Sequence, residues 1–160
     1  MRSHEHPAIQ EFLERFSAMM EPEGLPRPAG RMLGLLFAEA EAQTAEQLSR
    51  RLQISRSNVS TTVRLLETLG LVQRVRRPGE RSEYFQLPPR PFVPMLVAGV
   101  VRADRMRDAV HQCRDALPAS LDGAADRLGA LEAFFGHAAG WLARMRDEWI
   151  ANPPPEARDL

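Results

Sequence analysis

The hydrophobic pattern of the first part of the chain predicts two helices. After Pro7, apolar side chains recur at the i, i+3, i+4, i+7 spacing of a helix with one buried face; they are Ile9, Phe12, Leu13, Phe16, Met19 and Met20. A second helix begins near Pro28, because proline is tolerated in a first helical turn, and it is apolar nearly all round. Gly30 and Gly34 lie one turn apart on one face of this second helix, so we expect another helix to approach closely there.

Two shorter helices follow, and their start and stop residues are explicit. Thr44 and Gln47 form the pattern of a capping box at the start of TAEQLSRRLQ. Ser55 is a good N-cap for the next helix, and Gly70 is the residue type that tolerates the left-handed conformation at a helix end. Two short helices joined by a turn of a few residues predict a helix-turn-helix.

A β-hairpin is predicted immediately after the helix-turn-helix. The segments LVQRV (71–75) and SEYFQL (82–87) are strand-like and flank RRPGER, whose Pro-Gly pair is typical of a turn between strands. A helix-turn-helix followed by such a hairpin is a winged helix-turn-helix, which we place over residues 25–90.

The helix over 55–69 separates polar from apolar residues. At 100° per residue, its polar side collects Arg56, Ser57, Ser60, Thr61 and Arg64, with Asn58 nearer the apolar border. These residues lie in the first turns, where a recognition helix points into the major groove and where the helix dipole favours phosphate. Arginine can contact guanine and asparagine can contact adenine, so this helix is predicted to bind DNA.

The last third of the chain has a heptad pattern. Positions from Leu96 to Leu117, and again from Leu128 to Trp149, alternate spacings of three and four. The linker PASLDG between them predicts an antiparallel helical hairpin over residues 91–150. We expect its apolar stripes to pack against a second copy of the chain and against a helix in residues 1–24, which gives a symmetric dimer. A monomeric hairpin packed on its own head is the alternative. Residues 151–160 are predicted to be a flexible tail, and the fold class is mainly α with a small β-wing.

Charge is unevenly distributed along this neutral chain. Residues 50–90 hold nine arginines and three glutamates, a net charge of +6, and all 21 basic residues of the chain are arginine. A basic middle third predicts one positive face, as expected of a protein that binds nucleic acid. No apolar run is long enough to span a membrane and the start does not resemble a signal peptide, so we expect a cytoplasmic protein without a membrane partner.

Enzymatic and metal chemistry are not indicated. No nucleophile–base pair and no carboxylate–metal cluster has a convincing spacing, so neither an enzyme nor a cofactor is predicted. His4 and His6 lie at the start of the chain, and His111 and His137 are isolated on predicted helices. Cys113 is the single cysteine; its heptad position predicts a buried packing residue rather than a redox sensor.

One family resemblance covers most of these elements. The segment AEQLSRRLQISRSNVSTTVRLLETLGLVQRV followed by RPGERSEYF resembles the winged head of the multiple-antibiotic-resistance regulator (MarR) family, and GLPRPAGRMLGLL is similar to its glycine-betaine-synthesis-regulator (GbsR) branch. The resemblance implies a homodimer joined by its first and last helices, and a wing-tip arginine, here Arg81, that enters the minor groove. RRPGER replaces the acidic-rich wing tip of the family.

The resemblance also implies regulation. Members of the family usually repress transcription, and a small ligand often releases the DNA; the branch suggests choline-like cations, which aromatic cages bind by cation–π contact. The aromatic candidates for such a cage are Phe92, Phe134, Phe135, Trp141 and Trp149.

Together these patterns predict a transcriptional regulator that binds double-stranded DNA as a homodimer, with a possible small-molecule effector. The predicted DNA-binding residues are Arg56, Ser57, Asn58, Ser60, Thr61, Arg64, Arg76, Arg77 and Arg81. Of these, Arg76 and Arg77 are expected to contact phosphates. The alternative is a dimeric interaction module whose winged head binds a protein, and salt-dependent, sequence-selective binding to duplex DNA distinguishes the two.

Overall fold

A computed structural model describes residues 6–157, which leaves His4 outside the described residues. The chain divides into two compact units, with the boundary between Pro91 and Phe92. We call residues 6–91 the head and residues 92–157 the stalk. In the head, the elements are α1 (Pro7–Met20), α2 (Arg27–Ala38), β1 (Gln43–Thr44), α3 (Ala45–Leu52), α4 (Arg56–Thr68), β2 (Gln73–Arg76) and β3 (Glu83–Gln86). In the stalk, they are α5 (Phe92–Asp115) and α6 (Asp122–Ala151), joined through a 3-10 turn at Ala119–Leu121.

The core of the head is built from all four of its helices. Its most deeply buried side chains are Leu13, Met32, Leu33, Leu35, Leu48, Leu52, Val59, Val63 and Leu66. Phe85 of β3 joins the same cluster, so the small sheet is tied to the helices by an apolar contact. Burial of this kind is the main stabilising contribution in a domain of this size.

Helix α1 packs against α2 at the two glycines. A Cβ atom on Gly30 would lie 2.8 Å from the Cα of Ser17, and one on Gly34 would lie 3.0 Å from a methyl group of Leu13. The predicted close approach of a second helix is therefore confirmed, and that helix is α1. With Leu13 fully buried, α1 contributes to the head core, and a part of this helix in dimerisation stays a prediction.

The helix-turn-helix is formed by α3 and α4, with the predicted caps in place. Thr44 accepts a hydrogen bond from the Gln47 amide at 3.2 Å, and the Gln47 side chain accepts one from the Thr44 amide at 2.7 Å. Gln53 adopts a left-handed conformation with φ 54° between the helices, and Ser55 caps α4. Gly70, with φ 70°, reverses the chain after α4, as predicted.

The wing is a three-stranded antiparallel sheet in the order β1-β3-β2. Strands β2 and β3 form the predicted hairpin, with Val75 opposite Tyr84 and with Gly79 at φ 82° in the turn. Strand β1 was not predicted: Gln43 and Thr44 pair with Phe85 and Tyr84, which makes β3 the central strand.

The stalk is an antiparallel pair of long helices. A Cβ on Gly99 would contact Leu142 at 3.2 Å, and the side chain of Arg114 reaches Glu132 at 2.7 Å, so the start of α5 lies beside the end of α6. In the stalk, small residues dominate the buried set, and the predicted burial of Cys113 is wrong for this chain because its side chain is exposed. After α6, a 3-10 turn at Pro155–Ala157 ends the described residues, and flexibility of the tail stays a prediction.

None of the helices within residues 6–157 combines the length and apolar character that crossing a bilayer requires.

Candidate nucleic-acid interface

The polar side of α4 is fully presented to solvent. Arg56, Ser57, Ser60, Thr61 and Arg64 are all exposed, whereas Val59, Val63 and Leu66 of the same helix are buried. The helix thus has one face in the core and one face free, as its sequence predicted.

Two of these side chains have local partners that fix their positions. Ser57 shares a hydrogen bond with the capping hydroxyl of Ser55 at 2.9 Å, and the Thr61 hydroxyl donates to the Ser57 carbonyl at 3.1 Å. The guanidinium groups of Arg56 and Arg64, by contrast, form no ion pair or hydrogen bond with any residue between 6 and 157. Two arginines without protein partners are thus available to an external anion or base edge.

Asn58 contributes to the helix start through its backbone. Its amide donates to the Ser55 side chain at 3.2 Å, while its own side chain is exposed. The side chain therefore does not form the cap, and it stays on the surface beside the polar side of α4.

A groove of about 640 Å³ separates the start of α4 from the wing. It is lined by Thr44, Ala45, Glu46, Arg56, Arg76, Glu80, Arg81, Ser82, Glu83 and Phe85. The groove therefore brings Arg56 of the recognition helix together with Arg76 and Arg81 of the wing. Three glutamates, Glu46, Glu80 and Glu83, line the same opening as the three arginines, so the lining as a whole carries no net charge and the groove is not a uniformly basic surface.

The wing arginines differ in how much of their charge is already neutralised. Arg76 is 80% exposed but pairs with Glu83 at 3.1 Å, whereas Arg81 makes no ion pair with the described residues. Donation by Arg76, and then by Arg74, lowers the pKa of Glu83 below its usual value of 4.5, so that carboxylate is charged near neutral pH. Part of the basic charge predicted for this segment is therefore compensated within the wing.

Arg74 is a functional candidate that sequence analysis missed. Its guanidinium contacts Glu67 of α4 through two hydrogen bonds of 3.1 Å and Glu83 of β3 at 2.8 Å. Its hydrogen bonds to Glu67, and then to Glu83, raise the pKa of Arg74 above its ordinary value. Hydrophobic periodicity does not relate the end of a helix to the strands that follow it. The pairing of Arg74 with Glu67 and Glu83 could therefore not be predicted from the sequence.

At the wing tip, Arg77 and Tyr84 form a cation–π pair. The guanidinium carbon of Arg77 lies 4.3 Å from the ring centroid of Tyr84, whose hydroxyl donates to Glu80. The hydrogen bond to Glu80 raises the pKa of Tyr84 above 10.0. Arg77 is thus held on a rigid aromatic surface, with its edge still exposed.

The other titratable candidates of the chain do not form a second site of this kind. Among residues 6–157, no three histidine, cysteine, aspartate or glutamate side chains are grouped to hold a metal ion. His111 is not isolated as the sequence suggested: its two ring nitrogens face Asp115 at 3.2 Å and Glu132 at 3.1 Å. His6 caps α1 by accepting from the Ala8 amide at 3.2 Å.

Four of the five aromatic candidates for an effector cage lie in two separate pairs. Phe92 packs edge-on against Trp149, and Phe134 against Phe135, each pair with ring centroids 5.4 Å apart. Residues 135 and 149 are about 21 Å apart along one helix at ~1.5 Å per residue, so the five aromatic side chains do not form one cage.

This architecture, with an exposed polar recognition helix beside a basic wing, defines a winged helix-turn-helix protein. Residues 23–81 match the MarR family, a region that runs from before α2 to the wing tip. Over this region the chain is therefore similar to the winged-helix proteins of that family. The structure as a whole confirms the predicted fold class, mainly α with a small β-wing and long C-terminal helices.

Known proteins with similar sequences are transcriptional regulators rather than enzymes. The chain is 39% identical over 87 residues to the HTH-type transcriptional regulator MmpR5 of Mycobacterium tuberculosis, covering 54% of this chain and 53% of that protein. It is 25% identical over 80 residues to the HTH-type transcriptional repressor OpcR of Bacillus subtilis, covering 50% and 43%. The chain thus spans about half the length of the curated relatives it matches.

A solved structure extends the similarity to the stalk. The crystal structure of a transcriptional regulator, 26% identical, covers 91% of this chain and 100% of its own, with a TM-score of 0.73.

Proposed function

We propose that this protein is a sequence-specific, double-stranded-DNA-binding transcriptional regulator that places α4 in the major groove. One observation carries the proposal: Arg56 and Arg64 are exposed, have no protein partner among the described residues, and share the polar side of α4 with three small hydroxyl side chains. Short side chains let the helix backbone approach base edges, and an unpaired arginine is free to form the bidentate contact with guanine.

The remaining predicted residues have distinct roles in the proposal. Asn58 is available for adenine, and Arg77 and Arg76 contact phosphates beside the groove. Arg81, at the wing tip, enters the minor groove, where arginine responds to groove width more than to base identity. Arg76 contributes less than Arg77, because Glu83 already compensates its charge.

The proposal includes a homodimer, supported by apolar side chains that the single chain leaves in solvent. On α6, Phe134 is 63% exposed and Trp141 is 56% exposed, and seven residues place them on one helix face. On α1, Met19 is 72% exposed. Large apolar groups clustered on helix faces are typical of surfaces that another protein covers, and a second copy of the chain is the partner proposed here.

The regulatory part of the proposal is repression that a small ligand relieves, in the cytoplasm where the DNA lies. OpcR is named a repressor, which supports repression here, and the segment GLPRPAGRMLGLL supports placing the chain in the GbsR branch. The pair of Phe92 and Trp149 is less exposed than the pair of Phe134 and Phe135. It is therefore the pair that we propose for binding a choline-type cation.

The test is selection of a binding sequence from random duplexes, followed by footprinting of the full chain on the selected DNA. A two-fold dimer should protect an inverted repeat with half-sites about one helical turn (~10 bp) apart. Equal affinity for selected and random duplexes would reject specific binding and favour the protein-interaction module. Protection of one asymmetric half-site by a monomer would reject the homodimer.

A further inference from the structure

A three-residue ion-pair bridge connects the recognition helix to the wing. Arg74 of β2 donates through its Nε and one Nη to the two carboxylate oxygens of Glu67, each at 3.1 Å. Its other Nη donates to Glu83 of β3 at 2.8 Å. We call Glu67, Arg74 and Glu83 the clamp.

The geometry of the clamp leaves Arg74 little capacity to bind anything else. Two carboxylates contact its guanidinium, Glu67 and the Glu83 that it shares with Arg76. The guanidinium carbon also lies 5.5 Å from the centroid of the Phe85 ring, on the strand that packs into the head core. Its side chain is 40% exposed, compared with 80% for Arg76. A bidentate arginine–carboxylate contact is geometrically restrictive, so this pair fixes orientation as well as distance.

The clamp lies between the two surfaces assigned to DNA. Arg56 begins α4, whereas Arg64 lies in its second half and Glu67 follows it by three residues in the last turn. Arg77 and Arg81 follow Arg74 at the wing tip, and residues 69–72 form the short link between α4 and β2. Contacts in a major groove and in the neighbouring minor groove require both elements to keep one relative position, and preorganisation of this kind increases affinity by reducing the ordering cost of binding.

We propose that Arg74 is a positioning residue: through Glu67 and Glu83 it fixes the wing against the recognition helix, and it raises operator affinity without touching DNA. This inference rests on the proposed function for its effect on DNA binding, but the clamp itself can be tested without DNA.

The competing role for an arginine at this position is direct contact with a phosphate. The two roles predict opposite signs for a substitution of its partner. Glu67→Gln removes a negative charge from a DNA-binding head, so electrostatics alone predicts tighter binding to every duplex. The clamp predicts weaker binding to the selected operator, since the wing loses its fixed position.

The experiment compares Glu67→Gln and Arg74→Gln with a matched control, Glu46→Gln. Glu46 lies on α3 of the same head and pairs at 3.0 Å with Arg50 on its own helix, so this control makes the same charge change as Glu67→Gln outside the clamp. We expect both clamp variants to lose about three- to tenfold in operator affinity, a range set by partly exposed ion-pair networks. Affinity of Glu67→Gln for random duplex should be unchanged or higher, and Glu46→Gln should bind the operator at least as tightly as the parent chain.

Amide hydrogen exchange of the full chain without DNA provides the second measurement. Strands over residues 73–86 should exchange faster in Glu67→Gln and Arg74→Gln than in the parent, and at the parent rate in Glu46→Gln, because local opening reports the contacts that hold an element in place.

The outcomes separate the inference from the function on which it rests. If Glu67→Gln binds the operator as tightly as the parent or tighter, the positioning role is overturned. Equal weakening of Arg74→Gln on both duplexes, with a salt slope lower by about one, identifies Arg74 as a phosphate contact and also overturns it. If the parent prefers no duplex, the proposed function fails, and unchanged exchange in the clamp variants then overturns the clamp.

Discussion

The guanidinium of Arg77 lies over the ring of Tyr84, 4.3 Å from its centroid, while the hydroxyl of the same ring donates to Glu80. The wing tip therefore carries an arginine, an aromatic ring and a carboxylate in one contact chain. An arginine held on an aromatic face has fewer rotamers to lose when it meets a phosphate, which favours binding.

Tyr84 should ionise at unusually high pH. Because its hydroxyl donates to Glu80, ionisation must break that hydrogen bond and place a second negative charge beside the carboxylate, which raises the pKa above 10.0. Tyr84 is the single tyrosine of the chain, so phenolate absorbance during a pH titration reports it alone. Glu80→Ala should lower the midpoint, and Glu46→Ala should not; equal midpoints for Glu80→Ala and the parent would contradict this assignment.

Acid should weaken the wing through Glu83. The pKa of Glu83 is lower in the folded chain than its usual value of 4.5, so its ion pairs contribute stability above that pH, and the contribution is lost as pH falls through the folded value. Urea unfolding should show Glu83→Gln less stable than the parent near neutral pH. The difference should vanish in acid, and a constant difference at every pH would show that the carboxylate charge is not responsible.

The arginines of α4 and of the wing should have separable effects on DNA binding. Arg56→Ala or Arg64→Ala should reduce discrimination between operator and random duplex by ~1–3 kcal/mol, the usual value of a good bidentate base contact. Arg77→Ala should weaken binding to both duplexes alike and lower the slope of log affinity against log salt concentration by about one. A smaller loss of affinity is expected for Arg76→Ala, since Glu83 compensates the charge of Arg76. The effect of Arg81→Ala on discrimination between the two duplexes should lie between those of the α4 variants and of Arg77→Ala. Salt titrations on both DNAs measure these effects. If all five variants bind both DNAs like the parent, α4 does not recognise the DNA sequence.

Gly30→Ala should destabilise the head. The new methyl group would lie 2.8 Å from a backbone atom of Ser17, so α1 must move, and overpacking of this kind costs about 1–3 kcal/mol. Gly123→Ala is the control, because a Cβ there meets nothing within 4 Å in the first turn of α6. Thermal unfolding should show a loss for the first variant and no loss for the second; equal melting of the two would mean that the helices adjust without cost.

Charged substitutions on α6 should dissociate the proposed homodimer. Phe134→Asp and Trp141→Asp place carboxylates on an exposed apolar face, and burying a carboxylate in an apolar contact costs several kcal/mol unless it is protonated. The conservative variants Phe134→Leu and Trp141→Phe should remain dimers. Sedimentation measures the outcome, and dimers of both charged variants would exclude this face from the interface. Leu142→Asp is a poorer test, because Leu142 packs inside the stalk against Gly99.

Sequence-local features of the head were predictable. The capping box of Thr44 and Gln47, the Ser55 cap and the reversal at Gly70 depend on residues within one turn, so residue type alone indicates them. The two-residue strand β1 was missed because it exists only through its pairing with β3. Thr44 pairs with Tyr84, which lies forty residues later in the chain.

The stalk shows where a periodic pattern stops being informative. A straight α-helix drifts by ~20° per heptad relative to a strict seven-residue repeat. Along α5, one half of the predicted stripe stays buried at Ala103 and Val110. The other half goes from a buried Gly99 to a 45% exposed Met106 and an exposed Cys113, as expected if this drift moves those positions toward the edge of the contact with α6. Heptad spacing indicated which residues align but not how long one partner helix could cover them.

Thr44 has two structural roles. Because of them, the two ends of the wing differ in how well they tolerate insertions. It pairs with Tyr84 at the sheet and it caps α3, so an insertion just before it would break a strand register and a helix start at once. At the other end, Gly79 lies in the turn, and a Cβ built on it would meet nothing within 4 Å. Length variation can accumulate at that tip without disturbing the head. Evolution or protein engineering can therefore adjust how far this wing reaches while its anchor stays fixed.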